Sequence, residues 1–254
     1  MKNEASQWPG RSKTHRLGQH RLIDKNVLSR IISASGISGA ETVCEVGAGS
    51  GVLTEELCKV ARSVISFEVD PTRFRETSQA IWPKYSNLNL INQDAFRTPP
   101  PAFDVFVSNL PYSRSRDAIE WLAQARDCTR AIVMLQDEFA EKLFAEPGSG
   151  SYRSVSVIAR YCFSLERLFG VPRAAFKPEP KVRSVVLRLI RHGVLSDEMV
   201  SAINRLFSFR NKQVSAVLRR FGVQAGSLDS PATRVYQVGP QEIIELAGRV
   251  CGLK

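Results

Sequence analysis

Residues 42–54 read TVCEVGAGSGVLT, a short apolar run followed by a glycine-rich turn. The run 42–46 predicts a buried strand, and apolar residues return at helical spacing between residues 52 and 60. Glycines between a strand and a helix let the backbone approach a ligand at the helix N-terminus. This stretch therefore predicts the strand–turn–helix unit of an open α/β sheet, with a ligand bound at the turn.

The same alternation of strand and helix continues on both sides of that stretch. It predicts strands at 64–67, 88–91, 103–108 and 131–135, and helices at 25–35, after 71, near 117–125 and at 137–144. Alternation at this spacing is typical of a mostly parallel, doubly wound sheet. The sequence therefore predicts the α/β class.

The pattern changes after a loop at 146–151. Two β-rich runs, 161–171 and 182–191, lie so close in sequence that they predict an antiparallel edge of the sheet. Helical patterns follow at 197–209, 212–221 and 241–250. We divide the chain into a basic arm at 1–14, a main domain at 15–191 and a small helical domain at 192–254.

The chain is strongly basic. Its 35 lysines and arginines against 25 acids give a net charge of +10, with basic residues in excess at both ends. Such an excess favours a polyanionic partner, and nucleic acid is the commonest one.

The five cysteines are scattered and never form a C-x-x-C pair. This spacing argues against a disulfide framework and against a zinc site, and the three dispersed histidines argue against any metal cluster. The N-terminus has no apolar signal core, and no run approaches the length of a membrane span. We therefore expect a cytoplasmic protein with reduced thiols, no metal and no membrane partner.

Three acids stand at the ends of successive predicted strands: Glu45 just before the glycine turn, then Glu68 and Asp94. A G-x-G-x-G turn preceded by an acid suits a cationic ligand better than a pyrophosphate, and S-adenosylmethionine carries an ammonium and a sulfonium group. An acid at the end of the second strand accepts hydrogen bonds from ribose hydroxyls. Each acid alone is more often a solvated loop carboxylate. Together they predict a nucleoside-type cofactor site, with Asp94 near the adenine.

The following strand ends in Asn109-Leu-Pro-Tyr112, where proline stops the ladder. The amide oxygen of Asn109 and the carbonyl oxygen of Leu110 can accept both hydrogens of an exocyclic amine, and the Tyr112 ring can stack on a base. Ligands bind at the carboxyl ends of strands in such sheets, so the motif predicts a site for a target base. A plain strand followed by a turn is the alternative for this motif taken by itself.

Several motifs occur in one order over nearly the whole chain: LGQ (17–19), EVGAGSGVLT (45–54), FEVD (67–70), DA (94–95), NLPY (109–112), QDEFAEKL (136–143), SYRSVSV (151–157), FKPEPKVRS (176–184) and FSFRNKQVSAVL (207–218). With them the chain resembles the ribosomal RNA adenine dimethyltransferase family, which includes small-subunit enzymes and relatives that modify the large subunit. The family usually reads LGQNFL, whereas this chain has His20 and Arg21 in place of the Asn-Phe pair.

The resemblance implies a class I, Rossmann-like methyltransferase sheet with a small C-terminal helical domain. It implies dimethylation of adenine amines in small-subunit ribosomal RNA during ribosome assembly, with S-adenosyl-L-methionine as the cofactor. The partner would be that RNA or the pre-small ribosomal subunit, and the enzyme would be a monomer.

The resemblance also implies roles for individual residues. The implied cofactor-binding residues are Gln19, Leu22, Glu45, Gly47, Gly49, Glu68, Asp94, Ala95 and Asn109. The implied catalytic residues are Asn109, Leu110, Tyr112 and Phe176, with the two aromatic rings on opposite faces of the flipped adenine. A core aromatic beside two prolines is the alternative for Phe176.

Basic side chains after NLPY and on the C-terminal helices are candidates for phosphate contacts. They are Arg114, Arg116, Arg210, Lys212 and Arg219. A solvated basic face is the alternative for each.

Three other functions compete with the main interpretation. A large-subunit enzyme would share the catalytic motifs, and a DNA adenine methyltransferase would share a related one but lacks the run at 176–184. A non-enzymatic assembly factor would keep the fold and the RNA surface. Decayed cofactor residues would favour that factor, yet here the acids, the glycines and NLPY are all present.

Overall fold

The computed structural model describes residues 20–223 and 233–252. Gln19 and the arm at 1–14 lie outside these residues. The strands are β1 (Arg21–Leu22), β2 (Thr42–Val46), β3 (Ser63–Phe67), β4 (Leu88–Ile91), β5 (Val105–Asn109), β6 (Arg130–Gln136), β7 (Phe163–Val171), β8 (Phe176–Lys177) and β9 (Ser184–Arg191). The helices are α1 (Lys25–Ser35), α2 (Val52–Val60), α3 (Pro71–Ile81), α4 (Ser115–Leu122), α5 (Asp137–Phe144), α6 (Ser154–Cys162), α7 (Asp197–Phe207), α8 (Val214–Arg220) and α9 (Pro240–Cys251).

Seven strands form one sheet in the order β4-β3-β2-β5-β6-β9-β7. Neighbours from β4 to β6 run parallel, whereas β9 is antiparallel to both β6 and β7. The α/β fold and its antiparallel edge are therefore confirmed. Because the first five strands of this order are parallel, their carboxyl ends meet along one edge of the sheet.

Helices cover both faces of the sheet. One buried cluster packs α1 and α2 against one face, and a larger cluster packs α4 to α9 against the other. The Tyr152 hydroxyl donates to the carbonyl of Val238, and its ring lies 5.6 Å from that of Phe207. The C-terminal helices thus share their core with the sheet.

Helix α6 and the β1–β8 ribbon were not predicted, and several predicted elements differ from the observed ones by a few residues at their ends. Residues 161 and 162, which the sequence placed in a strand, complete helix α6. At its start, Ser154 to Val157 alternate hydroxyl and apolar side chains, which is the period of a strand and hides the helix in the sequence. The second missed element is the antiparallel ribbon of β1 and β8, which pairs two-residue strands far apart in sequence.

An ion pair lies at the amino ends of the parallel strands, on the side of the sheet opposite the glycine turn. The Arg130 guanidinium donates to both oxygens of Glu41, at 2.8 and 2.9 Å. It also donates to the carbonyls of Ser35 and Gly36 at the end of α1, at 2.7 and 2.8 Å. The hydrogen bonds to Arg130 lower the pKa of Glu41 from 4.5 to about 2. One side chain on β6 therefore holds both the end of α1 and the approach to β2.

We expect Glu41→Gln to lower the free energy of unfolding by about 1–2 kcal/mol at pH 7, because it removes a charge-assisted pair. The carboxyl group has a lower pKa folded than unfolded, so its stabilisation is complete above about pH 4.5 and is lost as the pH falls toward 2. Denaturant titrations of both proteins between pH 7 and pH 2.5 measure this.

The matched control is Glu56→Gln, which removes an exposed pair with Lys59 on α2. That change should shift stability by less than about 0.5 kcal/mol at any pH. Equal losses in the two variants would contradict the special role of the Glu41–Arg130 pair.

Candidate active site

One cavity opens where the parallel strands end. It is bordered by the glycine turn after β2, the ends of β3 and β5, the segment after β4, and the β1–β8 ribbon. Within the described chain, every predicted cofactor and catalytic residue lines it: Leu22, Glu45, Gly47, Gly49, Glu68, Asp94, Ala95, Asn109, Leu110, Tyr112 and Phe176. The structure thus brings together residues from six separate stretches of sequence.

The glycine turn lies against the NLPY segment. Gly47 has φ +89°, and a Cβ built there would lie 3.7 Å from Cδ of Pro111. Its amide donates to the carbonyl of Phe67 at 2.7 Å, which fixes the turn to the end of β3. A side chain at this position would be strained and would fill the space between the turn and Pro111.

Glu45 is a buried acid at the centre of the sheet, with 1% of its surface exposed. One of its oxygens accepts hydrogen bonds from the hydroxyls of Thr54 and Ser66, each at 2.6 Å. Burial raises the pKa of Glu45 to about 7, the two hydroxyls oppose this shift, and the nearby charge of Glu68 adds to it. A cationic ligand in the cavity would favour the ionised form.

Glu68 is held by the backbone at the end of β3. Its two oxygens accept from the amides of Gly49 and Asp70, each at 2.8 Å. The side-chain amide of Asn92 donates to the Glu68 carbonyl at 2.7 Å. Each carboxylate oxygen keeps a lone pair for a ligand, so the group is both oriented and available.

Asp94 is gripped by Arg114. The two terminal nitrogens of the guanidinium donate to the two Asp94 oxygens at 3.0 and 3.1 Å, and its Nε donates to Asp117 at 2.7 Å. The guanidinium carbon lies 4.9 Å from the ring centroid of Phe96, and the Phe96 amide also donates to Asp94. The Asp94 carboxylate is therefore fixed at the cavity by a planar fork.

This contact changes the interpretation of Arg114 and Arg116. Both were predicted to contact phosphate, but both are paired within the protein. Arg116 donates to Glu120 and Asn204, each at 2.7 Å. Three of the five donors of each guanidinium have acceptors within the protein, so fewer remain for a phosphate than the sequence suggests.

The NLPY residues present their oxygens at the end of β5. The hydroxyl of the preceding Ser108 donates to the carbonyl of Val46 at 2.6 Å and joins β5 to β2. Among the described residues, none donates to the side chain of Asn109 or makes a loop hydrogen bond to the Leu110 carbonyl. Both oxygens are available to a ligand with two N–H groups.

Two aromatic side chains border the same part of the cavity. The Tyr112 hydroxyl is hydrogen-bonded to the Ser184 hydroxyl at 2.6 Å, and burial raises the Tyr112 pKa. Phe176 is only 2% exposed, so it packs in the core and also lines the cavity. The ribbon register pairs it with Leu22.

The sequence analysis assigned no role to several residues of the cavity, among them His20, Val69 and Phe96. His20 lies with its ring 5.9 Å from that of Tyr112, and its Nδ1–H donates to the Pro178 carbonyl at 2.7 Å. Val69 lines the cavity with 58% of its surface exposed. Phe96 lines it too, beneath Arg114. Val69 lies in the FEVD motif between Glu68 and Asp70, and that position was the signal in the sequence.

The predicted RNA contacts on the C-terminal helices lie outside this cavity. The Arg210 guanidinium carbon is 5.2 Å from the Tyr236 ring centroid, and one terminal nitrogen donates to the Gly150 carbonyl at 3.4 Å. Lys212 and Arg219 are exposed. The structure does not bring these residues together with the NLPY segment.

The sequence model of the family described as "Ribosomal RNA adenine dimethylase" matches residues 10–241. The chain belongs to this family. Members of the family and of this fold are methyltransferases that use S-adenosylmethionine as the methyl donor. The class I methyltransferase fold predicted from the sequence is confirmed.

Relatives support the assignment to the adenine dimethylase family. A ribosomal RNA small subunit methyltransferase A of Levilactobacillus brevis is 38% identical, covering 88% of this chain and 81% of the relative. The protein of the same name from Thermotoga neapolitana is 34% identical, covering 93% and 90%.

Solved structures agree with this family. A dimethyladenosine transferase from Plasmodium falciparum superposes with a TM-score of 0.73 and 26% identity, covering 89% of this chain and 96% of that one. The 23S rRNA methyltransferase ErmE superposes with a TM-score of 0.60 and 27% identity, covering 89% and 98%.

The side chains of the cavity fit the methyl donor of this family. Two buried carboxylates, Glu45 and Glu68, stand beside the glycine turn. Carboxylates suit an ammonium group and ribose hydroxyls, whereas they would repel a pyrophosphate.

We expect S-adenosylmethionine to bind more tightly as the pH rises through 7, because Glu45 ionises there and the ligand is cationic. The Glu45→Gln variant should lack this dependence. The ligand's own amino group titrates near pH ~8 in both proteins, so the ratio of the two dissociation constants isolates Glu45. Calorimetric titrations between pH 5.5 and 8 measure it, and a constant ratio would contradict the role of Glu45.

We expect Arg114→Ala to weaken S-adenosylmethionine binding about tenfold in the absence of RNA, because it releases the Asp94 carboxylate from its fork. The dissociation constant of Arg114→Lys, which keeps the charge but not the fork, should fall between those of the wild type and Arg114→Ala. Arg116→Ala is the matched control and should leave the dissociation constant within about twofold. Weaker RNA binding with unchanged cofactor binding in Arg114→Ala would return this residue to the phosphate-contact hypothesis.

Proposed function

We propose that this protein dimethylates adenine exocyclic amines in small-subunit ribosomal RNA during ribosome assembly. The observation that carries the proposal is the position of Asn109, Leu110 and Tyr112 at the end of β5, directly against the glycine turn. A base held there would point its amine at the cofactor half of the cavity. The small-subunit target follows from relatives of that name, at 38% and 34% identity.

The proposed cofactor position follows the acids along the sheet edge. The methionine end would lie beside Glu45 and Gly47, where a buried carboxylate faces the ammonium group. The ribose hydroxyls would bond to Glu68, and the adenine would lie between Val69 and Ala95 with its amine on Asp94. Leu22 from the ribbon, Gly49 and the Asn109 side chain would complete this half of the cavity. Gln19 lies outside the described residues, and its role stays a prediction.

The proposed base position uses the other half of the cavity. The flipped adenine would stack on Tyr112, and Phe176 would close the opposite face. His20 borders the same space and is hydrogen-bonded to the loop after Phe176.

The base half of the cavity would act mainly by aligning the adenine amine with the methyl donor. The amine of adenine is a poor nucleophile because its lone pair is delocalised into the ring. The Asn109 side-chain oxygen and the Leu110 carbonyl would accept its two hydrogens and favour a pyramidal nitrogen. When bound, S-adenosylmethionine supplies an electrophilic methyl group on its sulfonium. Fixed dipoles around the amine cost no reorganisation during the reaction.

The large-subunit enzyme is the second candidate, favoured by the likeness to ErmE over 89% of the chain. The assembly-factor alternative is disfavoured, since the described cofactor residues line one intact cavity. We also propose that the enzyme is a cytoplasmic monomer that acts on the pre-small subunit. Its five cysteines are unpaired thiols, which suits a reducing compartment. In the part of the chain that the structure describes, no helix has the length and apolar character needed to cross a bilayer.

The test is methyl transfer from labelled S-adenosylmethionine to undermethylated small subunits, with large subunits and naked DNA alongside. We expect dimethyladenosine from small subunits only, identified by nucleoside digestion and mass spectrometry. Asn109→Ala should reduce the rate by about 10²–10³-fold, since it removes one preorganised acceptor. Its melting temperature should match the wild type, because the side chain has no protein partner among the described residues.

The other outcomes separate the alternatives. Label in large subunits alone would overturn the small-subunit target in favour of the second candidate. Tight RNA binding without any label would overturn catalysis.

A further inference from the structure

A second groove lies beside the chain segment that borders the base half of the cavity. It is lined by Gln136, Asp137, Glu138, Arg173, Lys181, Val182 and Arg183, and we call it the basic groove. The segment from Phe176 to Ser184 joins the two, since Phe176 lines the cavity and Ser184 is hydrogen-bonded to the Tyr112 hydroxyl. The basic groove therefore begins one residue from a side chain that touches Tyr112.

The groove carries free positive charge. Arg173, Lys181 and Arg183 are exposed, and among the described residues none pairs a carboxylate with them. The two acids of the groove are already neutralised: Asp137 by Arg167 at 2.9 Å, and Glu138 by Lys142 at 3.1 Å. The three cations are thus left without a counter-charge from the groove itself.

The rest of the segment adds to this charge. Lys177 lies on β8, directly opposite Arg21 of β1, and both are exposed. Glu179 is the one acid between residues 173 and 183, against four basic residues. The loop that borders the base site is therefore positive along its length.

The basic groove is also anchored. The carbonyl of Arg183 accepts from the amide of Asp137 at 3.0 Å, and Pro180 is buried beside Lys181. Fixed backbone positions remove the cost of ordering the loop itself when the cations bind a ligand. By contrast, Arg114 and Arg116 on the other side of Tyr112 are occupied by carboxylates.

We propose that the basic groove binds the phosphodiester backbone of the RNA strand next to the flipped adenine, through Lys181, Arg183 and Arg173. A nucleotide turned out of its stack carries its flanking phosphates to the mouth of the base site. Unpaired lysine and arginine side chains at that mouth neutralise them and set the register of the strand without reading its sequence. The proposal rests on the proposed function, because it takes the adjoining cavity as the base site.

The experiment reverses two charges in the groove, Lys181→Glu with Arg183→Glu. The matched control reverses two exposed cations outside the groove for which no carboxylate partner is seen in the described chain, Arg75→Glu with Arg126→Glu. KM for RNA, kcat at saturating RNA and the cofactor dissociation constant are measured at several salt concentrations. A milder double variant, Lys181→Gln with Arg183→Gln, removes the two charges without reversing them and tests the groove even if the charge reversal misfolds.

We expect the groove reversal to raise KM for RNA at least tenfold over the control, with cofactor binding unchanged. The slope of log KM against log salt should fall by about one for each phosphate that the groove no longer neutralises, also in the glutamine pair. A KM within about twofold of the control, in folded protein that still binds cofactor, would overturn the proposal.

The two proposals fail in different ways. If the groove variants methylate small-subunit RNA with a normal KM, the groove proposal is contradicted and the proposed function stands. If small subunits are not the substrate, fluorescence anisotropy with labelled RNA reads the groove independently of methyl transfer. Equal RNA affinity in the groove variant and the control would again count against it.

Discussion

The burial of the Glu45 carboxyl group is the constraint on which the site depends. Leaving water is costly for a carboxylate, and here two hydroxyls only partly offset that cost, so the group titrates near neutral pH. Those hydroxyls come from β3 and α2, so the same contacts fix the strand, the helix and the turn between them. A cavity built around a buried acid that no cationic side chain among the described residues is seen to pair is prepared for a cationic ligand.

Short links join the cofactor half of the cavity to the base half. Arg114 follows Tyr112 by two residues and holds Asp94, while Pro111 lies against Gly47. The segment that would present the target base is thus also the segment that orients an acid of the cofactor site. Movement of one half cannot be independent of the other, which suits a reaction that needs both reactants aligned.

The sequence was sufficient to predict elements and site residues that follow from local pattern and from position at a strand end. The strands, the acids at their ends and the NLPY motif follow from period and from the rule that such sheets bind ligands at one edge. Helix α6 was missed because its first turn, Ser154 to Val157, alternates polar and apolar residues as a strand does. The partners of Arg114 were missed because Asp94 lies 20 residues away, and no local rule selects it over a phosphate. The two strands of the ribbon are too short, and too far apart in sequence, for a local pattern to predict their pairing.

That ribbon has a consequence for how the enzyme is made. His20 and Pro178, which meet beside Tyr112, are 158 residues apart in the chain. During synthesis the first of them leaves the ribosome long before the second, at ~5–20 residues per second. The five parallel strands and the glycine turn precede Pro178 in the chain and can form first, whereas the cover of the base site must wait for the later segment. A nascent chain would therefore acquire the acids and glycines of its cofactor site before it acquires a closed place for the base.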